Sequence, residues 1–182
     1  MNLHYRLTTP VIFTHRGASG FAPENAVASL LSDVFERLGR RLLINIELTN
    51  YNSPYDSLVK KTVCEIIRYG MQDNILFSSF YPFTLFKASR LLPEVPVALL
   101  VLKGEVGWWI RSLLTRWVIP SMIHPHYSDA TQNYIQREHQ QKSRVHGWAV
   151  NREQEMGFLK KNKVDGLITD EPILAVSLLE AG

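Results

Sequence analysis

The chain has 182 residues, 46% of them apolar and 20% charged, enough for one domain with its own core and too little for two. Lys and Arg number 20 against 17 Asp and Glu, a net charge of +3, and no basic run forms a nucleic-acid patch, so nucleic acid is excluded as a partner. The single cysteine, Cys64, excludes an internal disulfide, and no stretch reaches the ~18 apolar residues that span a bilayer.

In chain order, residues 11–13 read as a buried strand ended by Gly17 and Gly20. Residues 26–38 carry Val27, Leu30, Leu31, Val34, Phe35 and Leu38 at helical spacing, and Gly39 stops that helix. A second strand covers 42–48. Residues 56–69 form a helix with Leu58, Val59, Val63, Ile66 and Ile67 on its apolar side and Gly70 as its stop. Cys64, within it, reads as a small core residue. A third strand covers 75–77, and a helix covers 82–92 with Pro82 at its start and Pro93 beyond its end. A fourth strand covers 97–102. A short fifth lies at 122–123, followed by a polar helix over 130–141. A sixth strand covers 145–150, a helix 153–161, a seventh strand 166–169, and a last helix starts at Pro172.

Between the fourth and fifth strands, residues 107–119 are apolar and aromatic, with Trp108, Trp109 and Trp117 set among Arg111 and Arg116. An outer helix packed on the sheet explains them. A lid, or a patch touching lipid at a membrane surface through the stretch from Trp108 to Trp117, explains them as well. The N-terminal MNLHYRLTTP lacks the apolar core of a signal peptide. These features together predict a soluble, cytoplasmic protein with one domain over 1–182.

Alternating strands and helices argue for βαβ units and a parallel sheet. An open doubly wound sheet and a barrel both satisfy that pattern. A barrel has eight strands and ~250 residues, whereas seven strands are readable here and the chain is about 70 residues shorter than that typical length.

Both architectures bind ligands at the carboxyl ends of their strands. After the first strand comes His15-Arg16-Gly17. An imidazole exchanges protons near neutral pH, a guanidinium presents a planar fork suited to phosphate, and glycine allows close backbone approach. The tripeptide alone leaves open a pair that only closes the strand end. On the second strand Asn45, Glu47 and Thr49 alternate onto one face. Glu47 is a carboxylate inside the apolar run LLINIEL, where burial calls for an ionic partner or a hard cation such as Mg²⁺ or Ca²⁺. Asp170 reads as a helix cap before Glu171-Pro172, and Asn25 as a cap with Glu24 beside it. His124 and His126 stand two apart, a spacing that suits a metal on a strand, but Pro125 between them argues for a loop. His4, His139 and His146 read as surface or packing residues.

The motifs His15-Arg16-Gly17, Pro23-Glu24-Asn25, NIEL at 45–48, ILFSSF at 75–80, WAVN at 148–151 and VDGLITDEP at 164–172 occur in this order. The ordered set resembles the glycerophosphodiester phosphodiesterase family. The resemblance implies an α/β fold, a (β/α)8 TIM barrel, here shortened to about seven recognisable strands. It implies metal-dependent hydrolysis of a small-molecule glycerophosphodiester to an alcohol and glycerol 3-phosphate, a phosphoric diester hydrolase of lipid metabolism. His15 is then an acid/base, Arg16 a phosphate contact, Glu47 a metal ligand for Mg²⁺ or Ca²⁺, and Phe80 and Trp148 pocket-lining residues.

The chain departs from the family's pattern between PEN and NIEL. The strand bearing a Glu-x-Asp metal pair, and the second catalytic His beyond it, are missing. The acids in that region, Asp33 and Glu36, fall on a helix, and Thr49 stands where many members have Lys. One carboxylate binds Mg²⁺ or Ca²⁺ weakly, and a missing acid/base lowers rate by ~10²–10⁴-fold. Impaired activity is therefore expected, with a non-catalytic phosphate- or lipid-binding remnant as the alternative.

Overall fold

The computed structural model describes residues 10–14, 31–49, 57–104 and 120–180. Its strands are β1 (Val11–Thr14), β2 (Ile44–Glu47), β3 (Ile75–Ser79), β4 (Val97–Val101), β5 (Met122–Pro125), β6 (Arg144–Gly147) and β7 (Gly166–Thr169). Its helices are α1 (Leu31–Leu38), α2 (Leu58–Tyr69), α3 (Pro82–Leu91), α4 (Gln132–Gln140), α5 (Glu153–Lys161) and α6 (Pro172–Glu180). The chain forms two compact units.

The first unit holds β2, β3, β4 to Leu100, and α1 to α3. Its strands run parallel in the order β4-β3-β2, with Ile46 opposite Phe77 and Phe77 opposite Val97. All residues of β3 and β4 are buried. A strand covered on both faces has no polar side, so ILFSS and VALLV read as continuous runs rather than alternating ones. Helix α2 ends where Gly70 takes φ 63° and ψ 38°. Its N–H and that of Met71 reach back to Ile67 O (3.1 Å) and Ile66 O (3.0 Å). That left-handed turn is open to glycine without a Cβ penalty.

Two apolar residues assigned to the inner side of α2 face outward instead, Leu58 at 36% and Ile67 at 52% exposure. Cys64 is exposed too, not a core residue. The buried stripe is Val59, Thr62, Val63 and Ile66, and Cys64, one residue past Val63, turns about 100° away from it. Asn74 closes the unit's edge. Its buried amide donates to Arg40 O (3.1 Å) and Leu42 O (3.3 Å), which ties the 3-10 turn after α1 to the turn before β3.

The second unit holds β1, β5, β6 and β7 with α4 to α6. Its parallel order is β1-β7-β6-β5. Outward-facing Val145 and Leu167 join Ile135, Met156, Leu159 and Ala175 in the helix-covered core. On the opposite face of β6, His146 meets Phe13 at 5.2 Å and His124 at 4.9 Å between ring centroids. Its Nδ1 lies 3.1 Å from His124 Nε2. Both imidazoles are buried, so His146 is a packing residue and not a surface one.

Strand β5 continues through Pro125, so His124 sits on a strand and not in a loop. Proline is tolerated there as the strand's last residue, where the missing N–H costs least. Its carbonyl still accepts Trp148 N–H at 3.1 Å. Asp165 joins three segments: its carboxylate accepts Val145 N–H and takes His139 Nε2, each at 2.7 Å, and its backbone carbonyl accepts Val11 N–H at 2.8 Å.

Gly166 is the tightest point of this sheet. A Cβ there would lie 2.8 Å from Val11 O and 2.9 Å from His146 Cδ2. Neither a backbone carbonyl in a ladder nor a buried ring gives way cheaply. Gly166→Ala is expected to lower stability by about 1–3 kcal/mol, measured by urea unfolding. A midpoint unchanged from the parent would show that the sheet relaxes around the methyl group.

Candidate functional site

In the first unit the carboxyl ends of β2 and β3 are stitched together. Leu48 N–H donates to Ser78 O at 2.8 Å, and Ser79 Oγ donates to Leu48 O at 2.7 Å while accepting Tyr81 N–H at 3.1 Å. Glu47 is the last residue of β2, opposite Ser78. It is exposed, not buried as its apolar context predicts. The reason is topological: β2 ends the order β4-β3-β2, so one of its edges lacks a strand neighbour among the described residues. Asn45 shares the strand face of Glu47 by the two-residue period. Its Oδ1 is buried with no hydrogen-bond partner among the described residues. Phe80 follows β3 and is half-buried.

Asp33 and Glu36 fall on helix α1, as expected, and Glu36 accepts the Tyr69 hydroxyl at 2.7 Å. Among the described residues no group of three or more His, Cys, Asp or Glu side chains is placed to hold a metal ion. A carboxylate and an amide oxygen on one strand face are hard donors of the type Mg²⁺ and Ca²⁺ accept. They fit such a cation in kind but fall short in number.

In the second unit the carboxyl ends of β5, β6 and β7 carry His126, Trp148, Asn151 and Asp170. Trp148 N–H and O bond Pro125 O (3.1 Å) and Tyr127 N–H (2.9 Å), which prolongs the β5–β6 pairing by one step. The half-buried indole donates Nε1–H to His124 O at 2.7 Å. Asn151 is engaged at both ends. Its Nδ2 donates to Asp170 Oδ2 (2.8 Å), and its Oδ1 accepts Asp170 N–H (2.9 Å) and Thr169 Oγ–H (3.3 Å). The Asn of WAVN thus clamps the end of β6 to the end of β7, and Asp170 answers to it.

His126 closes β5 and begins a 3-10 turn over Tyr127–Asp129. Its Nδ1 is 2.9 Å from Ser128 Oγ and 3.3 Å from Ser128 N, and Ser128 Oγ is 3.2 Å from Asp129 Oδ1. Asp129 Oδ2 in turn accepts Gly104 N–H at 2.7 Å. The ring lies against Tyr127 at 4.5 Å and edge-on to Trp148 at 5.5 Å. Burial, aided by the Lys103 charge, pulls the imidazole below its ordinary range, against the opposing pull of Asp129 and Glu155. The sequence offers His124 and His126 as a metal-spaced pair but favours a loop through Pro125, and it overlooks Ser128 and Asp129. The run His-x-Ser-Asp directly after a strand is the signal that marks them.

His15 and Arg16 follow Thr14, the last residue of β1, and lie outside the described residues, as do Glu24, Asn25 and the stretch from Trp108 to Trp117. No helix of the described residues is long and apolar enough to cross a membrane.

The chain matches the model of the glycerophosphoryl diester phosphodiesterase family over residues 29–174. It is 27% identical over 153 residues to a glycerophosphodiester phosphodiesterase of Caldanaerobacter subterraneus subsp. tengcongensis, covering 84% of this chain and 62% of that protein. The chain thus spans less than two thirds of the length of the curated relatives it matches. Among solved structures, a glycerophosphodiester phosphodiesterase of Parabacteroides distasonis aligns with a TM-score of 0.70 at 17% identity, over 82% of this chain and 62% of that one. A phosphodiesterase of Oleispira antarctica, in complex with the product sn-glycerol-3-phosphate, aligns with a TM-score of 0.68 at 18% identity, over 99% of this chain and 100% of that one. At such identities the structures speak to fold alone, and the fold is α/β, a shortened (β/α) TIM barrel with seven strands among the described residues. The family match over most of the chain leads to one conclusion: the protein belongs to the glycerophosphoryl diester phosphodiesterase family.

Proposed function

We propose that the chain is a single-domain, cytoplasmic hydrolase that converts glycerophosphodiesters to an alcohol and glycerol 3-phosphate, with a weakly held Mg²⁺ or Ca²⁺. The observation that carries this reading is the ordered motif set from His15-Arg16-Gly17 to VDGLITDEP at 164–172, around and within the family match. Arg16 grips the phosphate through paired N–H donors. His15 moves a proton at the ester oxygen. Phe80 and Trp148 line the glycerol and alcohol groups, and Glu47, with Asn45 beside it, supplies oxygen ligands to the cation. The cation, when bound, offsets negative charge that develops on the phosphoryl oxygens. The stretch from Trp108 to Trp117 touches lipid at a membrane surface, where such diesters arise from phospholipid.

Glu47→Gln tests the metal reading. The neutral amide is expected to weaken Mg²⁺ or Ca²⁺ binding at least tenfold, about 1.4 kcal/mol, in titration calorimetry. Matching isotherms for parent and variant would remove Glu47 from the ligand set.

A second reading has its own observation. The described residues hold no three-ligand acidic or His group, which favours a phosphate- or lipid-binding remnant without turnover. Metal-independent binding of glycerol 3-phosphate, with no release of it from glycerophosphocholine at any Mg²⁺ or Ca²⁺ concentration, would select that reading.

A further inference from the structure

Positive charge is not spread evenly over this protein. Helices α2 and α3 together hold Lys60, Lys61, Arg68, Lys87 and Arg90 against one acid, Glu65. Five against one is a surplus of four in two helices, whereas the whole chain has a surplus of three. All other residues together are therefore slightly acidic. The same two helices expose Ile67 (52%), Phe83 (51%) and Phe86 (38%). We propose that the outer face of α2 and α3 is a docking surface for an anionic lipid bilayer. The proposal goes beyond the phosphodiesterase reading and does not depend on it.

Helical period puts these residues on one side. Helix α3 packs on β3 and buries Thr84, Leu85 and Ala88. Phe83, Phe86 and Arg90, spaced i, i+3 and i+7, form the opposite stripe, and all three are exposed. In α2 the buried stripe is Val59, Thr62, Val63 and Ile66. Lys60, Cys64 and Ile67, spaced i, i+4 and i+7, look away from it with Lys61 and Arg68 beside them, and all five are exposed. The two helices pack against each other within the first unit, and the axes of packed helices lie roughly 8–10 Å apart. Their outward stripes are therefore neighbours.

A single exposed apolar side chain is ordinary on a protein surface. The combination of aromatic rings with flanking cations is what points to a bilayer. Phe rings enter the boundary between headgroups and acyl chains, while the flexible stems of Lys and Arg let their charged ends reach lipid phosphates. Arg68 is 70% exposed although Glu65 lies 3.7 Å away. Such a pair is open to solvent and contributes little, so the guanidinium is still able to meet a phosphate. A second copy of the chain suits the face less well, because a two-fold contact would bring two copies of the same cationic surface together.

Sedimentation of the full chain with lipid vesicles tests this. The parent is expected to bind vesicles of phosphatidylcholine mixed with phosphatidylglycerol, and not those of phosphatidylcholine alone. Binding should weaken as salt shortens the screening length from about 10 Å at 0.1 M to about 3 Å at 1 M. Lys60→Gln combined with Lys61→Gln should lower the partition roughly 25-fold, about fivefold for each charge removed. Phe83→Ser combined with Phe86→Ser should lower it roughly tenfold. All four side chains are exposed, so the thermal unfolding midpoint should stay near that of the parent. Ile173→Ser, at a side chain 70% exposed on α6, is the control and should leave the partition unchanged.

A parent that ignores the anionic vesicles, or that binds both kinds equally, would overturn the proposal. So would a Phe83–Phe86 double variant that partitions as the parent does, which would return lipid contact to the stretch from Trp108 to Trp117, intact in that variant, or to charge alone. An Ile173→Ser loss as large as that of the double variant would show general stickiness in place of a defined face.

Discussion

His15→Ala is expected to cut release of glycerol 3-phosphate from glycerophosphocholine by roughly 10²–10⁴-fold, the range for loss of one acid/base. The reason is the leaving group. An alkoxide expelled from phosphorus is a strong base, and a proton delivered as the bond breaks is worth several kcal/mol in barrier. Methyl in place of imidazole removes that proton and adds no new contact. Initial rates at saturating Mg²⁺ or Ca²⁺, parent against variant, measure it. Equal rates would strip His15 of the role and leave Arg16 as the working part of the tripeptide.

The largest effect on stability is expected at Phe77. It is fully buried and sits in the middle of β3, between Ile46 on β2 and Val97 on β4. Phe77→Ala deletes a ring whose space the two flanking strands cannot fill, because their own backbones are held by the ladder. The cost is about 3–5 kcal/mol, transfer and cavity together. For a chain of this size that corresponds to a fall of roughly 6–20 °C in Tm. Calorimetry or a circular-dichroism melt measures it. A fall under about 2 °C, well short of that range, would mean that the core closes around the missing ring. The same change at Phe80, half-buried past the end of β3, removes far less apolar contact and should cost much less.

These two sites differ in how they were legible. Phe77 lies in ILFSSF, an apolar run too short for a helix and bounded by turn signals, so a buried strand was the only economical reading. Its burial then follows from parallel packing. Glu47 lies in a similar run, and the same reasoning predicts burial. It is exposed because β2 ends the strand order among the described residues, and edge position is a property of strand arrangement that no window of sequence contains. Helix α2 makes the same point on a smaller scale. Spacing identified the helix, but Leu58, Cys64 and Ile67 belong to its outer face, because the width of the buried stripe is set by what lies opposite.

The His126 site was half visible. The histidine drew notice through its two-residue spacing from His124, and Pro125 argued against a strand. The structure keeps the strand and parts the two histidines' tasks. His124 turns to the buried His146, and His126 turns to Ser128. Alternation puts both on one strand face, but their partners come from β6 in one case and from the next turn in the other.

By itself the sequence determined the alternation of strands and helices, their parallel sense, the motif order that marks the family, and the absence of a Glu-x-Asp strand between Asn25 and Glu47. Those are local or one-dimensional properties: hydrophobic period, chain punctuation and residue order. Tertiary structure alone decided which strand is an edge, which histidines are buried, and which side chain stands behind His126. Such pairings depend on register between segments distant in the chain, and one residue of slip would exchange every face.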